Sequence, residues 1–215
     1  MSHNCPFNVA HYEELLDATK EGGYRFAFFD HEPVAGDLFL RHDIDMSLEA
    51  ALQLAELEAE RDVHSTYLLM TRSDFYNLDG RRGQAAIARL RELGHAVGLH
   101  GLHPDSTLDE RFDAVFAWHT PEPEWMSLPV EGALNVMQPP WFDPPHYRSD
   151  SNRHWRSGCP VDELRAGSFE WLQLLVHPEI WVYAGSTMRE KMLWFLDADR
   201  KVRYGYLNAN RLDLS

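Results

Sequence analysis

Arg41-His42-Asp43-Ile44-Asp45 follows the apolar run Leu38-Phe39-Leu40 and puts two carboxylates, an imidazole and a guanidinium where an apolar strand runs out. Alternate side chains of an extended chain share a side, so Asp43 and Asp45 point the same way. Two carboxylates held together repel, and something positive must sit beside them: a metal ion, Arg41 or a shared proton. The plainer alternative is a strand-to-helix turn in which Asp45 or Ser47 caps the next helix. Ser47 alone can do that capping, which leaves both aspartates free for chemistry.

Two further apolar runs end in similar residues. Val97-Gly98-Leu99 leads into His100-Gly101-Leu102-His103-Pro104-Asp105, and Leu172-Gln173-Leu174-Leu175-Val176 leads into His177-Pro178. Parallel strands gather their C-terminal ends on one face, so the three segments are expected to converge. Imidazoles and carboxylates are the usual ligands of a catalytic zinc or related divalent ion, which takes three protein ligands and keeps room for water. Water on such an ion becomes a nucleophile near neutral pH if a nearby carboxylate accepts its proton. Taken singly, each histidine also reads as a hydrogen-bonded turn residue, and each His-Pro pair as a strand breaker. Convergence of several favours a common site. His95 reads as an ordinary strand-start residue, and His119, beside Trp118, as core or rim.

The elements that must carry these residues follow from periodicity. Helices are expected from Asn8 to Gly22-Gly23, and over 47–61, 80–93, 109–119 and 187–200. Strands are expected over 24–29, 38–41, 65–70, 95–99, 133–136 and 171–176. The alternation reads as an α/β chain with a mainly parallel sheet of about seven strands, curled into a partly closed barrel. The proline- and aromatic-rich stretch 120–145 is expected to form a wall or lid.

The chain has 215 residues, enough for one domain with a substantial core. Its formal charge of −14 argues against nucleic acid or an anionic membrane surface as partner and leaves neutral or cationic small substrates open. Met1-Ser2-His3-Asn4-Cys5-Pro6 has no basic region followed by an apolar one, and no apolar run is long enough to span a bilayer, so a cytoplasmic setting is expected. Cys5 and Cys159 are read as too few and too distant for a disulfide framework or a thiolate zinc site.

In its motif order, from about residue 37 to residue 184, the chain resembles the polysaccharide deacetylase superfamily (carbohydrate esterase family four), in the subgroup whose first motif reads H-D-V-D. The resemblance implies a distorted, incomplete (β/α) barrel over a single domain, 1–215. It implies that Asp43 is the catalytic base and Asp45 a metal ligand. The second family motif, H-S/T-x-x-H, is nearest to Gly98-Leu99-His100-Gly101-Leu102-His103, which makes His100 and His103 ligands. The late motif matches Leu174-Leu175-Val176-His177-Pro178, which makes His177 the general acid.

The departures are specific. The histidines are three apart, position 104 is proline, and Asp105 is an alternative third ligand. The arginine motif R-x-P-Y is replaced by Tyr147-Arg148-Ser149-Asp150-Ser151-Asn152, with Arg148 expected near the base and Asp150 orienting a catalytic group; a solvated turn is the plainer reading. Arg41 is expected to orient or bind substrate. Trp141, Phe142, Trp155 and Arg156 are candidates for a sugar-stacking wall, or plain packing. The function implied is a divalent-metal hydrolase, zinc first, removing an N-acyl group, acetyl first, from a sugar or sugar conjugate; the cytoplasmic setting expected above points to a nucleotide- or lipid-linked sugar made for a surface polysaccharide. Deformylation or another linear-amide hydrolysis in the same site is one rival. A non-catalytic sugar-binding protein with a degenerate metal site is the other.

Overall fold

A computed structural model describes residues 5–210; residues 1–4, read above for a leader, lie outside the described residues. Helix α1 (Val9–Glu21) starts where Asn8 Oδ1 accepts the His11 N–H at 2.9 Å. It stops at Gly22-Gly23, where Gly23 takes a φ of 82° that a side chain would strain. Strands β1 (Arg25–Phe26) and β2 (Asp37–Ile44) follow. Helix α2 (Leu48–Glu60) is capped by Ser47 Oγ, which accepts the Ala50 N–H at 3.1 Å. That leaves Asp43 and Asp45 outside the cap. The chain continues through β3 (Thr66–Leu69), α3 (Arg81–Glu92), β4 (Ala96–Gly101), β5 (Val115–Trp118), β6 (Leu134–Asn135) and β7 (Tyr147–Ser149). It ends with α4 (Val161–Arg165), β8 (Leu172–Val176), α5 (Pro178–Val182) and α6 (Met188–Ala209).

The strands pair in the order β6-β5-β4-β3-β2-β8-β7, with β1 beside the start of β2. Every pairing is parallel, so all C-terminal ends lie on one side. The sheet is an incomplete α/β barrel whose edges, β6 and β7, are left apart. Among the described residues no helix is long and apolar enough to cross a membrane.

Alternation divides the side chains into an inner and an outer set. Outside, Leu38, Leu40, Leu172, Leu174 and Val176 pack with α1, α4 and α5, while Ile44, Tyr67, Leu69, Val97 and Leu99 pack with α2 and α3. Each fully buried leucine contributes roughly 1.5–3 kcal/mol. Inside, Phe39, Leu68, Val115, Ala117, Val136, Trp141 and Trp171 fill the lower half of the barrel. Gly98 makes that narrow interior possible: a Cβ there would lie 2.5 Å from Leu68 and 2.7 Å from Val115.

Two expectations fail locally. Residues 109–119 are not a helix; Asp113 bonds the Val97 amide through its carboxylate (2.7 Å) and Val97 O through its own N–H (2.7 Å), and this starts β5 alongside β4. A short apolar run fits either period, and tertiary pairing decides between them. Most of 120–145 stays at the surface, with Val130, Val136 and Trp141 turned inward. Trp141 is buried against Phe39 with ring centroids 4.7 Å apart, and Gln173 donates to Val136 O (3.1 Å) and Trp141 O (2.8 Å) across the gap between the sheet edges. Trp141 and Trp155 are thus core residues and build no exposed sugar-stacking wall.

Candidate active site

Strand β2 delivers Arg41, Asp43 and Asp45 to the inner face by alternation, while His42 turns outward. Arg41 and Asp43 are both buried and form a bidentate pair, Nε to Oδ1 at 2.7 Å and Nη2 to Oδ2 at 2.6 Å. Burial alone would penalise the Asp43 charge, but the Arg41 guanidinium and His100 keep its pKa below the usual carboxylate value.

Beside that pair, Asp45 Oδ1, His100 Nε2 and His119 Nδ1 converge. The three separations are 3.3 Å (Asp45–His100), 3.2 Å (Asp45–His119) and 3.2 Å (His119–His100). His100 Nδ1 donates to Ala117 O at 3.1 Å, which turns the Nε2 lone pair into the pocket. Asp45 Oδ1 is buried and, among the described residues, has no aligned hydrogen bond although both imidazoles stand beside it. Three lone-pair atoms directed at a common space suit a cation better than one another. A tetrahedral ion with bonds of ~2.0–2.1 Å has edges of about 3.3 Å, and the three separations match that edge. Burial opposes the Asp45 charge, yet the surrounding imidazoles hold its pKa well below the carboxylate range.

On the far side His177 Nε2 stands 3.9 Å from Asp45 Oδ2. Its Nδ1–H donates to Asp150 Oδ1 at 2.6 Å, and its backbone N–H to Asp150 Oδ2 at 3.0 Å. Trp181 Nε1–H donates to the same Oδ2 at 2.7 Å. Burial works against a charged His177, but the Asp150 carboxylate outweighs it and raises the imidazole to about 10. Asp150 is positioned by β7, whose register with β8 sets Ser149 opposite Leu175.

The structure therefore brings Arg41, Asp43, Asp45, His100, Asp150 and His177 to one mouth, but not His103 or Arg148. His103 is exposed on the loop after β4, in a cleft with Arg72 and Asp105, and its N–H bonds Ser106 Oγ at 3.3 Å. The reason is conformational: β4 stays extended through Gly101, so positions 100 and 103 share no helical face. Asp105 pairs with Arg72 at 3.4 Å instead of entering the site. The third place in the group belongs to His119. Register pairs His100 with Ala117, and two residues further on His119 returns to the same face. Arg148 is correspondingly on the outer face of β7, its guanidinium 4.8 Å from the Phe169 ring centre and 3.6 Å from Glu163. Arg41 holds Asp43 in its stead. The signal for His119 was present, a histidine just past an apolar run, but it reads as a site only when that run is a strand.

Behind the site, His42 serves structure. Its Nε2 lies 2.8 Å from Glu58 Oε1, and its ring stacks on Tyr67 at 4.3 Å. Glu58 also accepts from Tyr12, Ser65 (2.6 Å) and Tyr67 (3.1 Å), so one fully buried carboxylate ties α1, α2, β2 and β3 together.

No family model and no curated protein matches this sequence. Among solved structures, Bdellovibrio bacteriovorus peptidoglycan deacetylase Bd3279 aligns with 12% identity and a TM-score of 0.38. The alignment covers 86% of this chain and 54% of that one, so the chain spans about half the length of that protein.

Proposed function

We propose that this chain is a divalent-metal-dependent hydrolase that removes an N-acyl group, acetyl first, from a sugar or sugar conjugate. The observation that carries the reading is a juxtaposition. The Asp45, His100 and His119 set lies between a guanidinium-held carboxylate, Asp43, and a carboxylate-held imidazole, His177. The sugar as substrate follows from the motif resemblance described above.

Asp45, His100 and His119 would hold the ion, which when bound supplies Lewis acidity to the acyl carbonyl and to water. Asp43, whose Oδ2 is 3.7 Å from His100 Nε2, takes the proton of the attacking water. Arg41 fixes the carboxylate in place, at some cost to its basicity. His177 keeps Nδ1–H on Asp150 and presents Nε2–H to the amine nitrogen as the C–N bond breaks. An amine is a poor leaving group without that proton. Asp150 both aims the ring and keeps it protonated.

The test is acetate release. Protein stripped with a chelator should be inactive on N-acetylglucosamine oligomers and regain activity with zinc, cobalt or manganese. Absence of acetate after metal is restored, across N-acetylated sugars and sugar conjugates, overturns the reading.

A further inference from the structure

Cys5 and Cys159, remote in sequence, meet in space. Together with His11 they present two Sγ atoms and a ring nitrogen that all lie within 4.8 Å of one another. Helix α1 packs on α4, which carries His11 in the first turn of α1 toward Cys159 just before α4. His11 Nε2 is 3.2 Å from Cys159 Sγ, while its Nδ1–H donates to Glu14 Oε2 at 2.8 Å. A carboxylate on the far nitrogen fixes the tautomer and directs the other lone pair, as it does for metal-bound histidines.

Trp155 Nε1–H donates to Cys5 Sγ at 3.4 Å. Each cysteine precedes a proline, Pro6 and Pro160. Two adjacent thiolates repel, and a cation between them removes that conflict.

We propose that Cys5, His11 and Cys159 form a second metal site, separate from the strand-end pocket, for a thiophilic divalent ion of the zinc class. Two thiolates and an imidazole are a soft set that selects zinc over magnesium or calcium. Cys5 is buried, but His11 and Cys159 are only partly so, which leaves a side open for water as fourth ligand. The ion clips the start of α1 to the approach to α4. The His11 ring also stacks on Trp181 at 6.1 Å, and Trp181 holds Asp150, so the clip steadies the partner of His177 from behind.

Cobalt titration of the reduced full-length protein tests this, because a thiolate-to-cobalt charge-transfer band reports sulfur ligation and is silent for the oxygen and nitrogen ligands of the other pocket. The expected result is a saturable band in the wild type that zinc abolishes by displacement. The band should be lost in Cys5→Ser and Cys159→Ser and kept in His100→Ala. Zinc should also slow oxidation of the two thiols. Absence of the band in reduced wild type overturns the proposal without recourse to any variant. So does a band unchanged in Cys159→Ser, or formation of a Cys5–Cys159 disulfide at the same rate with and without zinc.

Discussion

Asp150 grips His177 through both its ring and its backbone, accepting Nδ1–H at 2.6 Å and the amide N–H at 3.0 Å. The contact spans the β7–β8 pairing and fixes the orientation and the charge of one imidazole together. Asp150→Asn keeps the shape but removes the charge that raises His177 to about 10. On an N-acetyl sugar, turnover should fall roughly 10²–10⁴-fold, the usual size of general acid–base catalysis, and the alkaline limb should move to lower pH. In metal-free protein the sign for stability is also set. A folded pKa raised above the unfolded value of about 6.5 gives stabilisation that is complete below that value and lost as pH rises through about 10. Denaturant midpoints against pH should show that alkaline loss in the wild type and not in Asp150→Asn.

Arg41 and Asp43 predict a split between turnover and stability. Asp43→Asn should keep metal and lose turnover by about 10²–10⁴-fold. Arg41→Met leaves a buried carboxylate without its guanidinium and should destabilise the fold by roughly 3–5 kcal/mol in urea unfolding. Loss of metal in Asp43→Asn would make Asp43 a ligand.

Metal content discriminates among the histidines. Calorimetric zinc titration should show loss of strand-end binding in His100→Ala and His119→Ala and retention in His103→Ala and Asp105→Ala. Scoring the Cys159→Ser background isolates this pocket from the cysteine site. Loss of binding in His103→Ala would mean that the loop after β4 closes onto the ion.

Glu58 should matter for folding and not for metal. Burial raises the cost of its charge, yet His42 and the other donors keep its pKa below the usual value. A depressed folded pKa gives stabilisation that is present above the unfolded value of about 4.5 and lost as pH falls through the folded one. Glu58→Ala strands several buried donors, each worth about 1–3 kcal/mol, and should lower the urea midpoint sharply. Zinc affinity of the folded fraction should be unchanged.

What the sequence by itself determined is what a local period can encode. Alternation along β2 places Arg41, Asp43 and Asp45 on one face, the Ser47 cap leaves both aspartates free, and the apolar run before His177 marks a strand end at the same mouth. The α/β barrel follows from strand–helix alternation. Tertiary structure decided the rest through register and packing, which no window of the chain contains. Pairing of β4 with β5 selects His119 over His103, because extension past His100 sends residues three apart to opposite sides. The register of β7 on β8 turns Arg148 outward, leaving Asp43 to Arg41. The fold brings Cys5, ahead of α1, beside Cys159, ahead of α4, a proximity that their separation along the chain gave no means to foresee.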